Sequence, residues 1–150
     1  MTEISVMETN ELIEALLKEP YCIIDILPKR VPCESMGQYF VVERFFLAPE
    51  RLREIRKKQA ELLLKLNCYY DMRASFDAGE TWSMNPDPEW LARELTALSN
   101  GKAARVLFPE QETMLDLDGC DTYMTVYHPS DEMCALLERI AGAEGLFLWN

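Results

Sequence analysis

An α+β domain, with a largely antiparallel sheet covered by about four helices, is the class the sequence predicts; mixed α/β is the alternative. Three observations carry the prediction. Helix-like and strand-like segments follow one another in mixed order rather than as a regular βα repeat. The stretch DLDGCDTYMTVY near the C-terminus reads as a β-hairpin. The residues after it run into a capped helix and a last short strand, so the chain ends in a β-hairpin-α-β unit. With 150 residues, of which 49% are hydrophobic and 10% aromatic, there is enough apolar material for one core, and a single domain over 1–150 is expected.

Taken in order, Thr9 is a plausible N-cap, and Leu12, Ile13, Leu16 and Leu17 give residues 10–19 a helical apolar stripe that Pro20 ends. Residues 21–27 are almost continuously apolar and read as a buried strand. Asp25 interrupts that run, and alternation is expected to turn it to solvent, since a buried carboxylate without a partner is costly. Two prolines and a glycine make 28–37 a loop. The aromatic-rich stretch QYFVVERFFL, 38–47, is the next strand candidate, a partner for 21–27 in a wide hairpin. Pro49 opens the longest helix, 50–66, with Leu52, Ile55, Gln59, Leu62, Leu63 and Leu66 inward and Arg51, Arg53, Arg56, Lys57 and Lys58 on a basic outer face.

A strand at 68–76 is followed by an irregular loop, 77–86, that holds Trp82. Asp87-Pro88 starts a helix whose buried side is Trp90, Leu91, Leu95 and Leu98, and Asn100-Gly101 ends it. Residues 103–108 form a strand that Pro109 breaks. Asp118-Gly119 supplies a two-residue type I′ turn between strands 113–117 and 122–127. Ser130 then caps a helix along Met133, Leu136, Leu137 and Ile140, stopped by Gly142 and Gly145 before the strand 146–149. Should that strand lie parallel to 122–127 in one sheet, the crossover is expected to be right-handed.

Charge excludes more than it assigns. The net charge is −11, and it is lopsided: residues 1–66 carry ten Lys and Arg against eleven Asp and Glu, whereas 67–150 carry five against fifteen. Sequence-independent binding to DNA or RNA draws its affinity from Lys and Arg on phosphates, so no nucleic-acid partner is expected. An acidic body fits a basic protein partner. No apolar run approaches the roughly 18 residues of a membrane span, so no membrane partner is expected. The first twenty residues have neither a basic n-region nor an apolar h-region, and a cytoplasmic protein is expected. Five cysteines without a CxxC pair, in an odd number, argue for reduced thiols rather than a disulfide framework.

Motifs that carry chemistry are few. Gly-rich phosphate loops, G-x-S-x-G and HExxH do not occur, and no cofactor is expected. His128 is the single histidine and stands between a strand end and a helix start; with Tyr123 and Asp121 close in sequence it is a candidate general base. Cys33, in a loop near Lys29 and Arg30, is the candidate reactive thiol, and either it or Cys120 is a candidate to join His128 and Tyr123 in a pocket. Asp116, Asp118 and Asp121 spell D-x-D-G-x-D, yet the positions that an EF-hand fills with its later ligands hold Cys120 and Tyr127, so no metal site is assigned. With Glu110 and Glu112 these carboxylates make a segment of five acids and no base, a candidate recognition surface, and Trp82 is the tryptophan placed to join it. Trp90 and Trp149 fall on core patterns.

A non-catalytic interaction module, such as an immunity-like or antitoxin-like inhibitor of a basic partner, is therefore the first expectation. A small enzyme or ligand-binding protein with a pocket near residues 127–130 is the second. A homo-oligomer pairing the basic helix with the acidic half is the third.

Overall fold

The computed structural model describes residues 3–32, 34, 36–99 and 101–150. Along the chain come α1 (Glu3–Leu16), β1 (Tyr21–Asp25), α2 (Met36–Leu47), α3 (Pro49–Asn67), β2 (Arg73–Ser75), β3 (Ser83–Met84), α4 (Pro88–Thr96), β4 (Ala103–Phe108), β5 (Thr113–Asp118), β6 (Met124–Tyr127), α5 (Asp131–Ala143) and β7 (Phe147–Trp149). Every strand pairs antiparallel, in the order β3-β2-β4-β5-β6-β1-β7, which makes the fold α+β. Because β1 lies between β6 and β7 and opposes both, β6 and β7 run in the same direction.

Alternation along the strands gives the sheet two unlike faces. On the closed face, Cys22 and Ile24, Ala74, Ala104, Val106 and Phe108, Leu115 and Leu117, and Met124 and Val126 meet Leu62, Leu63 and Leu66 of α3, Leu91 and Leu95 of α4, and Met133, Leu137 and Ile140 of α5. This is the main core. On the other face α1 supplies a second apolar cluster, with Ile13 and Leu16 seated on Leu107 and Met114, and Leu12, Trp82 and Tyr127 packed around them. The loop after β1 and the helix α2 wall part of the rest, and what remains is open as clefts.

Local signals explain most of the elements. Asp87 accepts from the Trp90 amide at 3.1 Å with Pro88 in the first turn, and Ser130 accepts from the Met133 amide at 3.1 Å, so α4 and α5 start where their caps stand. The buried stripe of α3 follows the apolar spacing.

Six expectations are corrected. Residues 38–47 are helical, giving five α-helices among the described residues where about four were expected. Aromatic and β-branched side chains favour a strand only when a partner strand and a half-buried surface are at hand. Here Tyr39, Glu43 and Phe46, at helical spacing, face the protein, and the Tyr39 hydroxyl donates to Glu43 Oε2 at 2.9 Å. The seventh strand is β3 instead, inside the stretch taken for a loop. Thr9 is no N-cap: the helix begins earlier, and Thr9 is buried with its hydroxyl accepting from Arg73 Nη1 at 3.2 Å.

Asp118-Gly119 is not a two-residue turn, since Leu117 pairs with Met124 and the connection spans the residues between. Gly119 does not adopt positive φ. Its hydrogen serves close approach: a Cβ there would fall 1.7 Å from the Ser99 carbonyl oxygen. Asp25 shares a face with Tyr21 and Ile23 as alternation requires, but it is buried, at 7% exposure, because the loop after β1 and the helix α2 wall that side of the sheet. Arg56, expected on the basic outer face, is fully buried, because the connection between β5 and β6 folds over that side of α3. Asn100 and Cys33 lie outside the described residues.

Candidate functional site

The open face of the sheet carries two adjoining clefts. The larger encloses about 590 Å³ over β7, β1 and β6, walled by Tyr39 and Phe40 of α2 and by the loop after β1. Its floor and sides are aromatic: Tyr21, Tyr123, Tyr127 and Trp149, with Tyr21 and Tyr127 paired across the strands at a ring separation of 5.7 Å. Lys29 and Arg30 stand exposed at its rim. The smaller cleft encloses about 360 Å³ over β5 and β4 and holds Arg105, Asp116, Asp118 and Asp121. Tyr123 and Thr125 line both.

Asp25 is the unusual group. Its Oδ1 accepts from the Ile26 amide at 2.7 Å and, at a long 3.4 Å, from the Thr122 hydroxyl. Among the described residues it makes no salt bridge. Burial, with Glu43 adding like charge, pushes its carboxyl above the usual carboxylate range against these hydrogen bonds. Asp121 is raised too, by burial first and by the neighbouring Asp118, although the Tyr123 hydroxyl bonds it and Arg56 opposes the shift. The Tyr39 phenol is pushed up to about 12 by burial and by its bond to Glu43. Glu43 thus adds like charge to both Asp25 and Asp121. Asp116, by contrast, is neutralised by a two-pronged pair with Arg105, at 2.8 and 2.9 Å.

The connection that carries Asp121 and Tyr123 is held from behind by α3. Arg56 Nη2 donates to the carbonyls of Asp118 at 2.7 Å and Asp121 at 2.8 Å, its Nη1 donates to Gln59 Oε1 at 2.9 Å, and Gln59 donates to the Thr122 carbonyl at 3.2 Å. One buried guanidinium therefore fixes one end of both clefts.

The residues singled out in the sequence are scattered over this framework. Tyr123, Asp116, Asp118 and Asp121 line the clefts. Glu110 and Glu112 sit at the opposite end of β5 from Asp118, so the acidic segment is two separate groups and not one surface. Trp82 is half-buried on the α1 cluster, with its indole N–H donating to the Gly79 carbonyl at 3.1 Å. Trp149, placed in the core by pattern, is on the cleft side of the sheet.

His128 is exposed and lines neither cleft. It is a junction residue at φ 60°, a conformation that His tolerates better than most. Its amide donates to the Pro20 carbonyl at 3.0 Å, its carbonyl accepts from the Thr113 hydroxyl at 3.2 Å, and Nδ1 is 2.9 Å from the Glu112 carbonyl oxygen. Cys120 is exposed beside Gly119, at a third cleft away from the open face. Among the described residues no group of three or more His, Cys, Asp or Glu is placed to hold a metal ion, and no helix is long and apolar enough to cross a membrane.

Sequence reasoning missed Asp25, Tyr21, Tyr39 and Trp149 as site residues. The one signal available was a carboxylate inside an apolar strand. No protein-family model, curated protein or solved structure matches this chain.

Proposed function

We propose that the chain is a binding protein that receives a cationic group of a basic partner in the aromatic cleft on the open face of the sheet. The observation that carries this reading is Asp25: a buried carboxylate on the cleft lining, without a bonded cation among the described residues, ringed by tyrosines and a tryptophan. Such a group is costly to keep charged, and an entering ammonium or guanidinium would supply the missing countercharge. Aromatic faces attract a cation by about 0.5–2 kcal/mol each. The volume falls within the range of ligand-binding clefts. The excess of acid over base in the whole chain draws a basic partner from a distance, and a cytoplasmic setting, with reduced thiols, suits this role.

Two cation–π contacts of about 1 kcal/mol and one charge-assisted hydrogen bond of about 2 give about 4 kcal/mol for an isolated group, a Kd on the order of 1 mM. Nuclear magnetic resonance titration with N-acetyl-arginine methylamide, against the isosteric neutral citrulline derivative, tests it. Shifts are expected at Asp25, Tyr123 and Trp149 for arginine alone. Equal shifts with citrulline, or shifts confined to other surfaces, overturn the reading.

A further inference from the structure

The register of the sheet sets the two clefts end to end along one row of residues. Trp149 pairs with Ile23, Ile23 with Thr125, Thr125 with Asp116, Asp116 with Arg105, and Arg105 with Ser75. These six residues form a single row crossing six strands on the open face. Trp149, Ile23 and Thr125 line the larger cleft, and Thr125, Asp116, Arg105 and Ser75 line the smaller. No step of the row is interrupted, and Thr125 belongs to both parts.

From Trp149 on β7 to Arg105 on β4 there are four strand-to-strand steps of about 4.8 Å, so this part of the floor is about 19 Å long. That exceeds what one side chain needs and matches about six residues of polyproline II chain at about 3.1 Å each. The charges along it are also spaced. Asp25 on β1 and Asp118 at the end of β5 are two strand steps apart, about 10 Å, which is about one three-residue turn of a polyproline II chain. Arg105 already neutralises Asp116, and Arg56, whose charge reaches both Asp118 and Asp121, offsets one of those two, so one negative charge remains to receive a second cation in the smaller cleft.

We infer that the partner lays a segment of about six residues in the polyproline II conformation across the strands, with one basic side chain in the aromatic cleft and a second, three residues along and so on the same side, in the acidic cleft. The inference rests on the cation-binding reading above and gives it a ligand class, a dibasic peptide. The segment runs over the face of the sheet, crossing the strands, so its backbone does not extend the ladder, and recognition resides in the two side-chain positions. Linking two weak sites on one short chain raises affinity through effective concentration.

The experiment is calorimetric titration at about 0.15 M salt, which screens exposed charges beyond a Debye length of about 8 Å. The probes are the acetylated, amidated hexapeptides Gly-Arg-Ala-Ala-Arg-Gly, Gly-Ala-Arg-Arg-Ala-Gly and Gly-Arg-Ala-Ala-Ala-Gly, with N-acetyl-arginine methylamide. The spaced peptide is expected to bind at least tenfold more tightly than the adjacent or single-arginine peptides. In the double variant Asp118→Asn, Asp121→Asn, the spaced peptide falls to the single-arginine level while the single-arginine peptide is unchanged. In Asp25→Asn both weaken. If N-acetyl-arginine methylamide binds as tightly as the spaced peptide, or the adjacent peptide matches it, the extended dibasic ligand is overturned and the cleft reading stands. If no arginine probe binds, the cleft reading fails and the inference with it.

Discussion

Replacing Arg56 with alanine should cost the protein about 3–5 kcal/mol, the usual loss when one side of a buried charged interaction is removed. The figure follows from the contacts. Arg56 is fully buried, and its Nη2 donates to two carbonyls, those of Asp118 and Asp121, at 2.7 and 2.8 Å. A charge-assisted hydrogen bond contributes roughly 1.5–3 kcal/mol net, so two give about 3–6. The bond to Gln59 and the packing of the side-chain stem add to this, while relief from burying a guanidinium subtracts; its Nε has no protein partner, and burial lowers its pKa. Equilibrium urea denaturation measures the difference as a fall in midpoint at constant slope. For a chain of this length the same loss is a drop of roughly 6–20 °C in Tm. Arg56→Lys should lie between the two, because one ammonium on a flexible stem cannot reproduce the planar fork. A loss below about 1 kcal/mol for Arg56→Ala would refute the reasoning, by showing that desolvation of the guanidinium cancels its bonds.

Four further outcomes are expected. Gly119→Ala should destabilise by several kcal/mol, on the order of a severe core overpacking, because the new Cβ meets the Ser99 backbone and not a movable side chain; equal urea midpoints for the two proteins would refute the close approach. Asp25→Asn should stabilise the unliganded protein at neutral pH: a carboxyl whose folded pKa is raised contributes stability below its unfolded value, and that contribution is lost as pH climbs through the folded value. Urea midpoints between about pH 4 and 8 should therefore fall with rising pH more steeply for the natural protein than for the variant. Ser130→Ala should cost about 1 kcal/mol through the lost cap on α5, read by thermal denaturation, with Ser130→Thr recovering most of it. An aromatic disulfide reagent at mild alkaline pH should label the exposed Cys68 and Cys120 in the folded protein and spare Cys22, whose thiol burial pushes up to about 12; peptide mass mapping that finds Cys22 labelled at the rate of Cys68 would contradict the packing of β1.

Much of the fold was legible because it depends on neighbours in sequence. Caps at Asp87 and Ser130, the stripe of α3, the strands around Val106 and Leu115 and the final strand, helix, strand order all follow from local bonds and from the 3.6 and 2 residue periods. The sequence by itself therefore determined the α+β class and most of the elements that bury the closed face of the sheet.

Tertiary structure decided the rest. Whether 38–47 is a strand or a helix depends on the presence of a partner strand, and β1 is already flanked by β6 and β7. The burial of Arg56 depends on a connection more than sixty residues away whose carbonyls need donors. Gly119 is needed for a contact with Ser99, twenty residues earlier, and not for its own turn. Asp25 shows the limit most clearly. Alternation assigned its face correctly, but not what covers that face, because periodicity reports direction from the strand while burial is set by whichever distant elements pack there. The row that joins the two clefts exists only through register, since its six residues come from six strands spread between Ile23 and Trp149.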